Sequence, residues 1–172
     1  FSVKDEEKTV KATVISEDNN SSEDLVVLLC EESIDVQPLY LVSAELDVFD
    51  ELQMVGYGKS FGFEKRWIQL KNTNLLKKPN KNMILDTIDS AAMDYEGFSG
   101  SLIADYNNCI VGIANMQNVE KGKANSLLGI SVKNRKKFFE NNNIPVYDRA
   151  ALLNVRCEET KAKAFQNGID QN

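Results

Sequence analysis

Thr9 to Ile15 alternates polar and apolar β-branched residues, the period of a strand with one covered face. Ser16 to Glu23 is polar and rich in Asn and Ser, and reads as a loop. Leu25 to Leu29 is continuously apolar, which predicts a strand buried on both sides. Pro38 to Val42 is a further short strand with a leading proline. From there the style repeats at short intervals: Leu52–Tyr57, Lys65–Leu76, Met83–Ile88, Ser101–Ala104, Cys109–Met116 and Leu127–Val132. Asp105-Tyr106-Asn107-Asn108 between two of these is a tight-turn signal, because Asn tolerates positive φ. Six strands with no intervening helix predict an antiparallel barrel or sandwich rather than an α/β sheet. Only afterwards does a helical period appear, at Asn134–Glu140, stopped by three consecutive Asn. Arg149–Ala164 is a second, mostly polar helix candidate, read as a tail or the first helix of a further module.

Charge and composition narrow the function classes. Twenty basic and 26 acidic side chains among 172 residues leave a net charge of −6, which argues against a phosphate-backbone partner and so against nucleic acid. No apolar run is long enough for a membrane span, and no basic-then-apolar leader is visible. Cys30, Cys109 and Cys157 are too scattered for a disulfide framework or a zinc site, so reduced thiols and a cytoplasmic location are expected, with no metal and no cofactor. Histidine is absent, and that excludes any mechanism in which this chain by itself supplies a histidine base.

Three stretches invite chemistry. Gly56-Tyr57-Gly58-Lys59-Ser60 has the ending of a phosphate loop, but Gln53 stands where the motif needs its first glycine, so a strand-ending turn is the better reading. Arg135-Lys136-Lys137 reads as a solvated helix face, with Phe138 and Phe139 docking the helix onto the barrel. Met93 to Leu102 is the informative stretch. In Gly97-Phe98-Ser99-Gly100-Ser101 two glycines flank a serine, a pattern that lets backbone N–H groups converge beside a hydroxyl. A plain Gly-Ser turn satisfies the same letters. A nucleophile elbow does not, since its last glycine is Ser101 and a β-hairpin follows. Asp94 and Glu96 beside the loop are either surface charge or a subsite for basic residues.

Taken in order, these segments resemble the trypsin-like (chymotrypsin-fold) serine peptidases, especially the short bacterial members. Gly97-Phe98-Ser99-Gly100-Ser101 is similar to the G-x-S-G-G/S nucleophile loop. Cys109 to Ala114 follows it as the "x-V-G-I" strand does, and Asp24-Leu25-Val26-Val27-Leu28 resembles the strand whose aspartate orients the catalytic histidine. Leu127–Val132 and the helix after it are similar to the closing strand and helix; the resemblance covers roughly residues 1–144.

The resemblance implies two antiparallel β-barrels, the N-terminal one incomplete, and a C-terminal helix. Residues 1–47 would be the remainder of the N-terminal barrel, 48–144 the C-terminal barrel with its helix, and 145–172 a tail or linker. It also implies roles. Ser99 would be the nucleophile, the N–H groups of Ser99 and Gly97 the oxyanion hole, and Asp24 the orienting acid. Met93 would lie at the base of the specificity pocket, with Asn115, Met116 and Gln117 on its wall. An uncharged Met93 argues against a simple preference for Lys or Arg. Leu102 stands where the family commonly has proline, which does no chemistry.

The family's histidine lies upstream of the aspartate, and Asp24 is preceded here by only 23 residues. The expectation is therefore a serine endopeptidase domain, acting on protein or peptide, that needs a histidine-bearing segment from elsewhere. That segment could belong to the same polypeptide, among further domains, or be a separate piece. A gap of about 7–10 Å between the side chains of Asp24 and Ser99 would admit the imidazole. The alternatives are a catalytically dead relative serving as a protein-binding or scaffold module, and a β-rich domain with no catalytic ancestry.

Overall fold

The structure is a computed structural model, and it describes residues 10–17, 25–35, 38–47, 50–59, 62, 65–73, 82–87, 95–120 and 123–149. Side chains at 82, 87, 116–120 and 123–125 are outside that description. The chain divides into two compact units, Phe1–Pro38 and Leu39–Asn172.

In the first unit β1 (Ala12–Glu17) pairs antiparallel with β2 (Val26–Cys30), and the register slips between Val14 and Ser16. The apolar run at 25–29 does form a strand, but burial on both faces is not what it finds. Leu25 and Val27 are buried, whereas Val26, Leu28 and Leu29 are exposed. Among the described residues the sheet has two strands, and a lone pair of strands lacks the second sheet that would bury both of its faces.

The second unit is built on six strands: β4 (Glu51–Tyr57), β5 (Lys65–Asn72), β6 (Asn82–Thr87), β7 (Leu102–Ala104), β8 (Ile110–Glu120) and β9 (Lys123–Ser131). Their order is β8-β7-β4-β5-β6-β9, every pairing is antiparallel, and β9 pairs back with β8, so the sheet closes into a barrel. Alternation decides what goes inside. Along β4 the buried positions are Leu52, Met54 and Gly56, and across the register Ile68 and Leu70 of β5 face the same way. They pack with Leu85, Ile103, Val111 and Leu127 in one core. Closure also leaves no free edge along these strands.

Outside the closed ring, β3 (Leu41–Ser43) pairs parallel with β8 and with β10 (Val146–Asp148). The segment after Pro145 therefore begins as a strand, which the sequence pattern did not suggest. Asp105, at the start of the β7–β8 turn, fastens this region. Its buried carboxylate accepts the N–H groups of Asn107 and Cys109 at 2.9 and 3.0 Å. Arg149, just past β10, lies against its other oxygen, with Nε 3.2 Å away. Asn108 takes the predicted positive φ, 57°.

A short 3-10 turn (Lys133–Arg135) leads into α1 (Lys136–Asn141). Phe139 is buried and docks the helix as expected, but Arg135 is buried too and does not belong to the solvated face that Lys136 and Lys137 form. The helix ends where Asn143 adopts φ 59°.

The two units differ in what a substitution should cost. Ile103→Ala in the closed barrel, at a side chain with 0% exposure, should lower stability by about 2–5 kcal/mol. Val14→Ser on the open hairpin should change it by less than about 0.5 kcal/mol. Chemical denaturation midpoints check both.

Candidate active site

The serine loop is two consecutive reverse turns. Phe98 N–H donates to the Tyr95 carbonyl at 3.1 Å, closing the turn Tyr95-Glu96-Gly97-Phe98. Ser101 N–H donates to the Phe98 carbonyl at 3.0 Å, closing Phe98-Ser99-Gly100-Ser101. Each turn has its glycine third, at φ 94° for Gly97 and 83° for Gly100, the type II requirement. The three-residue spacing of the glycines thus encodes the double turn, and Ser99 is raised to the second position of the second turn. Tyr95 and Phe98 are buried, while Glu96, Gly97, Ser99 and Gly100 are exposed.

Close packing under the loop fixes where it sits. A Cβ on Gly56 of β4 would meet the Phe98 ring at 2.7 Å and would collide with Ser101 Oγ. A Cβ on Gly97 would lie 2.7 Å from the Tyr57 carbonyl oxygen. Lys59 holds the first turn by its backbone N–H to the Glu96 carbonyl, 2.9 Å, and by Nζ to both Glu96 carboxylate oxygens at 2.8 and 2.9 Å. Glu96 is therefore engaged by a lysine of its own chain, which weakens its reading as a subsite for basic residues.

The loop leans on β8 from the other side. Gly100 N–H donates to the Ala114 carbonyl at 2.7 Å, and Ala114 N–H donates to the Ser101 carbonyl at 2.8 Å. The register of β8 against β9 slips between Ala114 and Met116, so Asn115 is the extra residue of a bulge. Ser99 Oγ donates to the Asn115 carbonyl at 2.7 Å. Asn115 Nδ2 is buried with no hydrogen-bond partner among the described residues.

The site residues expected from the sequence divide as follows. Ser99, Gly97 and Asn115 come together. The N–H groups of Gly97 and Ser99 have no acceptor among the described residues, whereas those of Phe98, Gly100 and Ser101 are taken. Met116 and Gln117 continue β8 beyond Asn115, and their side chains lie outside the description. Asp24, Met93 and Asp94 lie outside the described residues, as does Cys157, and so does the distance between Asp24 and Ser99. Gly56 and Lys59 were missed as supports of this loop. Their setting, a glycine in an otherwise bulky strand and a lysine just past its end, is the signal that could have found them. Among the described residues no cluster of His, Cys, Asp or Glu has the makings of a metal site, and no helix is long and apolar enough to cross a membrane.

No known protein family and no curated protein sequence matches the chain. Solved structures do. Kallikrein-related peptidase 10 aligns with a TM-score of 0.63 at 13% identity, over 78% of this chain and 73% of that one. Human heparin binding protein aligns with a TM-score of 0.63 at 16% identity, over 80% of this chain and 68% of that one. The HtrA-type protease AlgW, solved with a decapeptide, aligns with a TM-score of 0.57 at 18% identity, over 75% of this chain and 39% of that one. The chain has the trypsin-like fold, with its six-stranded barrel closed.

Strain and packing at the loop give separable outcomes. Gly97→Ala forces a Cβ at positive φ against a carbonyl and should cost about 1–3 kcal/mol. Lys59→Ala removes an ion pair whose side chains are 56% and 54% exposed, and should cost less than about 1 kcal/mol. Thermal or denaturant unfolding of the two variants reads the difference.

Proposed function

We propose that this trypsin-like domain is a serine endopeptidase that works through an acyl-enzyme on Ser99, with its base supplied by a histidine from outside the 172 residues. The single observation that carries the reading is the double turn. It exposes one hydroxyl beside the N–H groups of Gly97 and Ser99, which engage no acceptor among the described residues. A developing oxyanion needs such preorganised donors, and removing one typically costs a factor of about 100–1,000 in rate.

In this mechanism Asp24 holds the incoming imidazole in the right tautomer, and the imidazole draws the Ser99 proton away from the Asn115 carbonyl. Ser99 Oγ attacks the peptide carbonyl, whose oxygen moves onto the two N–H groups. The imidazolium then protonates the departing amine, and water enters by the same route in reverse. Met93 forms the floor of the specificity pocket and Asn115, Met116 and Gln117 its wall. The orphan Asn115 amide gains an acceptor when a substrate carbonyl arrives, which favours productive binding. Residues 1–47 serve as the rest of the N-terminal barrel, 48–144 as the C-terminal barrel and 145–172 as a tail or linker. The histidine-bearing segment extends β1 and β2 and covers the exposed Val14, Val26, Leu28 and Leu29.

One observation favours a second reading. With no histidine in the sequence, the chain alone has no base, and a serine without one is a poor nucleophile at neutral pH. On that reading the barrel is a catalytically inert module that binds protein.

Fluorophosphonate labelling of the native translation product separates the two. The enzyme reading expects stoichiometric label on Ser99, none in Ser99→Ala, and a labelling rate lowered on the order of 10³–10⁴-fold in Asp24→Asn. An unlabelled Ser99 in a product that does carry an upstream histidine overturns it. A Ser99 that stays unlabelled in a native product without any histidine, and with no partner that supplies one, favours the inert module instead.

A further inference from the structure

The outer face of the β4–β5 hairpin carries an apolar patch that barrel burial does not explain. In the register Val55 lies opposite Trp67, and Tyr57 lies opposite Lys65, so Tyr57 and Trp67 are diagonal neighbours on one face. The inward face of the same strands is already complete with Met54, Ile68 and Leu70. Trp67 is 66% exposed and Tyr57 is 56% exposed. Wide aromatic rings held on a rigid sheet, with little rotamer freedom to lose, are the residues that dominate binding surfaces.

Two further features say what fits. Lys65, exposed and directly opposite Tyr57 on this face, brings positive charge to the end of the patch in a chain whose net charge is −6. The patch also runs directly into the serine loop: the Tyr57 carbonyl abuts Gly97, and Lys59, two residues on, grips Glu96. A ligand on Trp67 and Tyr57 would therefore be led along β4 to Ser99.

We propose that the Tyr57–Trp67 face is a docking surface for an extended segment of another protein, one that carries an aromatic or aliphatic side chain flanked by carboxylates. The apolar side chain packs on Trp67 and Tyr57, and a flanking carboxylate faces Lys65. A single cation beside two aromatic rings on an acidic chain suits a short acidic peptide better than a phosphate backbone, which demands a broad basic face. Calling the segment a substrate rests on the peptidase reading; its docking does not. The surface then selects acidic–apolar sequences at a distance from the cleaved bond.

Trp67 is the only tryptophan of the chain and so reports on its own contact. The probes are a short synthetic peptide with a central Phe between Glu residues, its counterpart with Lys for Glu, and a single-stranded DNA oligonucleotide. The protein is the full chain with Ser99→Ala, so that binding is read without turnover. The Glu peptide should shift Trp67 emission to shorter wavelength, saturably, and bind at least about tenfold more tightly than the Lys peptide. The binding should weaken with added salt. By calorimetry, Trp67→Ala should lose that binding, and Lys65→Glu should reverse the preference between the two peptides. Equal affinity for both peptides, unchanged binding by Trp67→Ala, or tighter binding of the DNA would overturn the proposal. Peptide binding by a protein whose Ser99 never takes the fluorophosphonate would leave the docking surface standing and refute the peptidase reading alone.

Discussion

The arrangement around Ser99 depends on burying one ring against bare backbone. Phe98 is fully buried, and its ring lies where any side chain at position 56 would be. That contact pulls the chain down onto β4 between two exposed turns, and the turns can close only because Gly97 and Gly100 accept positive φ. The rest of the barrel serves this contact. Closure of six strands makes β4 and β8 rigid walls, and the loop is bonded to one wall through Lys59 and to the other through Ala114. A hydroxyl carried on such a support has its position set by packing rather than by its own side-chain freedom.

The same geometry explains which backbone donors remain. In a pair of hydrogen-bonded reverse turns, the fourth residue of each donates inward, here Phe98 and Ser101, and β8 takes the N–H of Gly100. Gly97 and Ser99 are left without an acceptor among the described residues. A bulge in β8 then turns the Asn115 carbonyl to the Ser99 hydroxyl. The Ser99 proton rests there, on a backbone carbonyl, which is too weak a base to activate the oxygen. On the peptidase reading proposed above, the loop supplies the electrophile-stabilising half of the site and a histidine supplies the proton transfer.

Much of this was legible in the residues. Alternation placed six strands between Leu52 and Val132, and Asp105-Tyr106-Asn107-Asn108 marked its turn, because both signals are local. Gly97-Phe98-Ser99-Gly100 was legible for the same reason, since a type II turn declares itself by glycine at its third position. What escaped was long-range. β10 is only Val146–Asp148, too short for a period, and it forms because β3 and the ion pair of Arg149 with the buried Asp105 receive it. Arg135 reads as surface in its charged run, yet tertiary packing buries it. The apolar run at Leu25–Leu29 misled in the opposite direction, because an unbroken hydrophobic stretch records what a strand can bury and not whether a covering layer is present. Lys59 and Glu96 are 37 residues apart, and no pattern in the sequence announces their meeting.

The central claim is that the double turn at Ser99 holds an oxyanion hole ready for use. A crystal structure of the native protein after reaction with a fluorophosphonate tests it most directly. The account predicts a covalent adduct on Ser99 Oγ whose phosphonyl oxygen lies about 2.7–3.1 Å from the backbone nitrogens of both Gly97 and Ser99, with the two turns unchanged. An adduct whose oxygen points to solvent, or a loop that must refold before either nitrogen can reach it, would contradict the account.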